Sequence, residues 1–312
     1  MAVIPAGRTL RVDAGPRHVV IIGAARSGTR VLRDTLARAT GMGQVPYDIG
    51  FVWRYGNEQA PDDVLVPSAI GARSRRFIRK FIDRYAAGSP SGVIEKTVGN
   101  CFRVPAVVSV IPDAYVIHIV RDGVDTIESA RRQWTAPLDL RYAMGKLPHV
   151  PLRLAFRCGA NYLASFAYRW GPGDGRQRSW GPRYPGIDAD LARHDLLVVC
   201  ARQWRESVRH ASRDLARIAR PVVQVRYEDL VNDPETELRR LVDFLALPYS
   251  REQVRRAAMR LVSVRQGVGR RSLSRSELAV VEAEAGSLLS ELGYEPALVG
   301  EPQVLSPADR SR

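Results

Sequence analysis

Gly23, Arg26, Ser27, Gly28, Thr29 and Arg30 stand close together in the run HVVIIGAARSGTRVLRDTLARA, residues 18–39. Glycines that admit unusual backbone angles, two hydroxyls and two guanidiniums are the parts of an anion cradle. Its chemistry is the holding of a phosphate-like group by backbone N–H groups and fixed cations. Gly23 and Gly28 have the spacing of the nucleotide loop G-x-x-x-x-G-K-[ST], but the residue after Gly28 is Thr29, not lysine. ATP chemistry uses that lysine on its transferred phosphates, so this loop can cradle a phosphate without offering the usual ATP machinery.

Four other places carry residues able to do chemistry. Lys96 follows the short strand-like stretch 92–95, and Arg121 follows the apolar stretch 115–120 with Ser129 eight residues later. Arg265, Gly267, Gly269, Arg270 and Arg271 form a second glycine–arginine loop, a candidate anion clamp. The carboxylates Asp48, Glu58 and Glu95 are candidates for taking a proton, Asp48 first because it stands among Tyr47, Phe51 and Trp53. His118, inside an apolar strand, reads as a buried, hydrogen-bonded residue.

These residues must be positioned by a βα framework. The apolar run 19–22, the loop and the helical periodicity of Val31, Leu32, Leu36 and Ala39 make a strand–loop–helix unit, stopped by Gly41 and Gly43. The pattern predicts a helix over 68–86, a strand at 92–95, a helical piece at 104–110, a strand at 115–120 and a helix from Asp125. Arg121 then lies at the carboxyl end of a strand, where open α/β sheets bind ligands. Further helices are expected at 151–166, 195–219, 251–262 and 275–292. A strand at 222–226 precedes a helix begun by Asp233 and Pro234. An edge strand near residues 9–12 is also expected. The whole predicts an α/β fold, a P-loop-like three-layer α/β/α domain with a mainly parallel sheet, built from three or four βα units. The domain spans 18–295. Residues 1–17 are a lead-in, 136–190 an acceptor or lid insertion rich in Gly, Pro, Arg and Trp, and 296–312 a flexible tail.

Composition bounds the rest. The chain has 312 residues, 45% hydrophobic, with a formal charge of +14 that comes almost wholly from arginine, since Lys80, Lys96 and Lys146 are the only lysines. That charge implies anionic ligands, while zinc-finger spacings and dense basic arms are missing, which argues against a dedicated nucleic-acid binder. No run is long and apolar enough to span a membrane, and no signal-peptide core opens the chain. Cys101, Cys158 and Cys200 are too scattered for a disulfide framework, so a cytoplasmic location is expected.

Taken together, the motifs resemble those of the sulfotransferases that use 3'-phosphoadenosine 5'-phosphosulfate (PAPS). The likeness is greatest to the arginine-loop branch, P-R-S-G-T, of tyrosylprotein and many bacterial enzymes. GAARSGT at 23–29 resembles the loop for the donor's 5'-phosphosulfate, with Ala25 at the place of the frequent proline. EKT at 95–97, VRDGVDTIES at 120–129, VRYEDLVNDPETELRRLVDFL at 225–245 and GVGRR at 267–271 follow in the family's order. The resemblance implies sulfuryl transfer, without a metal, to a hydroxyl or amine of a small-molecule, glycan or lipid-linked acceptor, with 3',5'-diphosphoadenosine (PAP) as product. It implies Arg26, Ser27, Gly28, Thr29 and Arg30 at the 5'-phosphate and leaving side, and Lys96 at the sulfuryl group. Arg121 with Ser129 falls at the 3'-phosphate, Gly267, Gly269 and Arg270 over the donor, and Tyr227-Glu228-Asp229 is a structural marker. The branch places a glutamate base shortly after the first helix, where this chain offers Asp48 and then Glu58. The acceptor is left open among a carbohydrate, an aromatic metabolite and a lipid-linked product, with Tyr47, Phe51, Trp53, Tyr55, Trp170 and Trp180 as candidate lining and Arg176, Arg178 and Arg183 favouring an acidic one. A P-loop phosphotransferase and a non-catalytic polyanion-binding module are the competing classes.

Overall fold

The computed structural model describes residues 17–136, 180–261 and 266–298. The expected strand near 9–12, the helix at 151–166 and most of the 136–190 insertion lie outside them, as do Trp170, Arg176, Arg178 and the tail beyond 298. Five strands form one parallel sheet in the order β2-β3-β1-β4-β5. They are β1 (Arg17–Ile22), β2 (Gly43–Gln44), β3 (Gly92–Lys96), β4 (Tyr115–Val120) and β5 (Val222–Arg226). β1 lies in register between β3 and β4, with Ile21 opposite Lys96 and Ile22 opposite His118.

The inner strands are apolar because both faces are covered. On one face Val19, Ile21, Ile94, Ile117, Ile119, Val223 and Val225 meet α1 (Thr29–Thr40), α8 (Tyr227–Asn232), α9 (Pro234–Phe244) and α10 (Arg251–Met259). On the other, Val20, Ile22, Val93 and Val116 meet α2 (Gly50–Trp53), α3 (Ala72–Asp83), α4 (Val104–Val110), α5 (Gly123–Thr135), α6 (Ile187–Arg193) and α7 (Leu196–Leu215). Two C-terminal helices, α11 (Val268–Ser272) and α12 (Arg275–Glu291), close this side, α12 opening on a reciprocal Ser274–Glu277 capping box. The three-layer parallel architecture expected from the sequence is what the chain adopts.

Several boundaries differ for local reasons. β2 was not expected: its two residues, glycine and glutamine, carry no strand pattern. α5 starts at Gly123 rather than Asp125, because Asp122 caps it by accepting from Val124 N. α3 begins at Ala72, after a separate 3-10 turn at Pro67–Ala69. The start of the expected tail is packed: Ala297 is buried, and its N–H donates to Glu282 Oε2 at 2.6 Å.

The order of strands fixes the functional geography. β1 is central, so the loop that follows it emerges between the carboxyl ends of β3 and β4. Lys96 ends β3 on one side of that loop, and Arg121 follows β4 on the other. The β1–β4 neighbourhood is where successive connections leave in opposite directions, the place where an open α/β sheet leaves a crevice.

Candidate functional site

The loop between β1 and α1 is held open by close packing. Gly28 has φ 93, and a Cβ there would lie 2.3 Å from Tyr227 Cδ2. Gly23 needs no special φ; a Cβ there would lie 2.6 Å from Ile119 Cγ2. Arg26 also takes the left-handed region, φ 70, which costs a side-chain-bearing residue about 1–2 kcal/mol. That cost is met by bonds at both ends of the residue. Its carbonyl accepts from Arg121 Nη1 at 3.1 Å, and its Nε donates to Ser129 Oγ at 2.9 Å. Ser27 is turned inward, its hydroxyl donating to Ala24 O at 2.7 Å, while Thr29 is buried. Arg30 is mostly exposed and lies 3.7 Å from Asp34. The loop thus offers backbone N–H groups and the helix dipole rather than its own hydroxyls.

Arg26, Arg121 and Ser129 meet at the wall of a cleft of about 600 Å³, a size typical of small-molecule sites. Arg132 and Tyr227 line it too. The Arg121 guanidinium lies over the Tyr227 ring at 4.4 Å, and the same ring packs on Gly28, so one aromatic sets both the arginine and the loop. Enclosure first, then the neighbouring Arg121 and Arg132 charges, pushes the Arg26 guanidinium below its ordinary value. Guanidiniums gathered at one wall attract an anion, though Asp125 beside Arg121 and Glu128 beside Arg132 offset part of that charge. The resemblance implies Arg26 for the 5'-phosphate and leaving side; in the structure its side chain donates to Ser129, and its carbonyl accepts from Arg121. Arg132 and Tyr227 were missed as site residues. Arg132 stands three residues beyond Ser129 on the same helix, a periodicity that could have marked it.

Within the glycine–arginine segment, Gly267, Gly269 and Arg270 spend donors on the protein itself. Gly267 N and Gly269 N donate to Asp125 at 2.8 and 2.7 Å, and Asp125 also lies 3.4 Å from Arg121 Nη2. Arg270 reaches Asp122 at 3.2 Å and the carbonyl of Glu295 at 2.7 Å. Glu228 completes the lacing by accepting from Asp122 N and from Tyr294 OH, both at 3.0 Å. Gly267, Gly269 and Arg270, expected over the donor, here buttress Arg121 and α5.

On the β3 side, Lys96 Nζ donates to both Asp48 oxygens, at 3.0 and 3.1 Å, and Val98 N donates to Asp48 Oδ1 at 3.1 Å. Lys96 is 7% exposed, with Asp48 more open. The two residues are brought together, though neither lines the cleft around Arg121. Glu95 points the other way. It is wholly buried, accepts from Trp53 Nε1, Thr97 Oγ1 and Asn100 Nδ2, and is pushed up to about 7 by burial. His118 is buried, and that pushes it down to about 4. Three of the expected acceptor-lining aromatics pack against the protein itself. Trp53 is fully buried, Tyr55 stacks on Phe77 at 4.3 Å, and Trp180 packs edge-on against Trp134. Arg183 Nε donates to Pro61 O at 2.9 Å. Cys101 and Cys200 are buried and free, and among the described residues no helix is long and apolar enough to cross a membrane.

Comparison with known proteins gives a partial match to one family model and distant structural likenesses. Residues 186–251, from α6 to the start of α10, match the sequence model described as "Sulfotransferase family". No curated protein matches the sequence. Among solved structures, the chain is similar to the sulfotransferase domain from the curacin biosynthetic pathway, with 16% identity over 91% of this chain and 99% of that one and a TM-score of 0.48. A sulfotransferase from Mycobacterium avium gives 13% identity over 91% and 79%, with a TM-score of 0.48. A mouse sulfotransferase complexed with PAP gives 16% over 90% and 84%, with a TM-score of 0.42.

Proposed function

We propose that this chain is a member of the sulfotransferase family and transfers a sulfuryl group from PAPS to a hydroxyl or amine of a small-molecule or glycan acceptor. The observation that carries the reading is the second cationic site. Arg26, Arg121 and Ser129 are joined by hydrogen bonds beside a phosphate-cradling loop that lacks the ATP-loop lysine. A donor with phosphates at both ends of an adenosine needs two anion sites, and this arrangement offers two.

The cleft residues fit such a donor. Backbone N–H groups of residues 28 and 29 would hold its 5' end at the positive end of α1, the Ser27 N–H being spent on Ala24 O. Arg121 and Arg26, with the Ser129 hydroxyl, would hold the 3'-phosphate, the guanidiniums by paired N–H bonds. Asp125 keeps Arg121 in place, and Tyr227 supports its flat face. The donor, when bound, supplies an activated sulfuryl group whose transfer spreads negative charge over its oxygens. Lys96 is the cation for that charge, and its buried stem fixes where the ammonium sits. Asp48, oriented by Lys96 and Val98 N, is the proton acceptor for the incoming hydroxyl.

Incubation with radiolabelled PAPS and a panel of sugars, phenols and alcohols, with chelator present, tests the reading. Label transferred to a hydroxyl-bearing acceptor supports it. Magnesium-dependent transfer from ATP and none from PAPS would overturn it.

A further inference from the structure

α5 turns one stripe of side chains toward the cleft. Asp125, Glu128, Ser129 and Arg132 follow at helical spacings of three and four, and all of them line it. Asp125 accepts from Gly267 N and Gly269 N, and Arg132 Nε lies 2.6 Å from Glu128 Oε1. Ser129 Oγ accepts from Arg26 Nε, which leaves its own hydrogen for a ligand oxygen. Glu128 stands apart from the other three. It is 3% exposed, and its second oxygen, Oε2, is buried and makes no hydrogen bond.

A carboxylate oxygen left unmet in the interior costs free energy, and a hydrogen donor brought by a ligand removes that cost. An ionised carboxylate only accepts. The ligand atom it takes must therefore carry a hydrogen, as a hydroxyl or an amine does and an ionised phosphate oxygen does not. Arg132 on Oε1 balances the Glu128 charge, so that an anion held by Ser129 is not driven off by its neighbour. The last torsion of a glutamate side chain is broad and soft, so the carboxylate adjusts to an incoming donor at little cost.

The phosphate site selects which donor that is. On the reading proposed above, the 3'-phosphate of the nucleotide lies on Arg121, Arg26 and Ser129. The ribose 2'-hydroxyl is on the carbon bonded to the one that carries this phosphate. It is the hydrogen donor of the nucleotide fewest bonds from that anchor, and the base amine is several bonds farther away. Glu128 is correspondingly the residue next to Ser129 on the cleft face of α5.

We propose that Glu128 is a specificity-determining residue that accepts a hydrogen bond from the ribose 2'-hydroxyl, so that the cleft reads the 3'-phosphate and the neighbouring hydroxyl together. This rests on the nucleotide reading of the cleft. A nucleotide with only hydrogen at the 2' position leaves Oε2 unmet.

Calorimetric titration of the full chain with PAP and with its 2'-deoxy analogue tests this. In the wild type the analogue should bind about tenfold more weakly, or worse, the worth of a hydrogen bond to a charged group. In Glu128→Ala the two affinities should come within about twofold of each other, since neither ligand then has the carboxylate to meet. Ser129→Ala touches the phosphate and not the hydroxyl, so it should weaken both ligands and keep their ratio. The ratio separates the roles: a Glu128 that only seats Arg132 would, when removed, weaken both ligands alike. Equal affinities in the wild type, or a ratio that persists in Glu128→Ala, would overturn the proposal and leave the sulfotransferase reading standing. Failure of the wild type to bind PAP would overturn both. Should Glu128→Ala fail to fold, Glu128→Gln keeps the shape and removes the charge. The ratio should then fall about threefold, and an unchanged ratio would overturn the proposal equally.

Discussion

Arg26 Nε donates to Ser129 Oγ at 2.9 Å across 103 positions of the chain, tying the loop after β1 to the helix after β4. The bond crosses the crevice at the centre of the sheet and turns two local motifs into one wall. Arg121 reinforces it by reaching the Arg26 carbonyl from the β4 side. A ligand phosphate entering here meets two guanidiniums already fixed, so little ordering remains to be done on binding.

Arg121→Ala should weaken PAP binding by about 2–5 kcal/mol, since it removes a charged partner of a bound phosphate. Ser129→Ala should cost about 1 kcal/mol, the worth of one hydrogen bond. Calorimetry with PAP checks both. ADP binding, with no 3'-phosphate to lose, should change by less in each variant.

Arg26→Gly separates backbone strain from charge. Glycine accepts φ 70 without penalty, so the thermal midpoint should hold or rise while PAP affinity falls at least tenfold. A fall in both would mean that the Arg26–Ser129 bond supports the fold more than the ligand.

Asp48→Asn and Lys96→Ala should leave PAP affinity within about twofold of wild type and lower turnover about 100-fold or more once an acceptor is in hand. Reduced PAP affinity with preserved turnover would make the pair a binding element.

Stability against pH should carry two opposed contributions. Burial lowers His118 from 6.5 to about 4, so its stabilisation is complete above pH 6.5 and is lost as pH falls toward 4. Burial raises Glu95 from 4.5 to about 7, so stability on its account is complete below pH 4.5 and is lost as pH rises to 7. Each is worth about 3 kcal/mol across its window. Urea unfolding of His118→Gln should show a flatter acid limb. Glu95→Gln should flatten the fall toward neutral pH, and an unchanged profile in either variant would contradict the assignment.

The strand–loop–helix unit at 17–40 and the arginine after β4 could be read from the sequence because their signals are local: an apolar run, a glycine, a helical period. Pairings between distant segments could not. Lys96 with Asp48, Arg26 with Ser129 and Asp125 with Gly267 each depend on the strand order, which no local pattern states. The aromatics at 51–55 misled for a related reason. Composition marks them as able to line a pocket, but Trp53 finds the buried Glu95 and Tyr55 finds Phe77. The glycine–arginine loop at 267–271 has the makings of an anion clamp, and the anion it meets is the protein's own Asp125.

The central claim is that two anion sites, the loop after β1 and the Arg121–Ser129 wall, stand side by side at the carboxyl end of the sheet. Calorimetric titration of the wild-type chain with PAP and with ADP, both with EDTA present, tests it most directly. The account predicts tight binding of PAP and binding of ADP weaker by about 100-fold, the worth of a charge-assisted phosphate contact. Equal affinity for the two, or no binding of PAP, would contradict it.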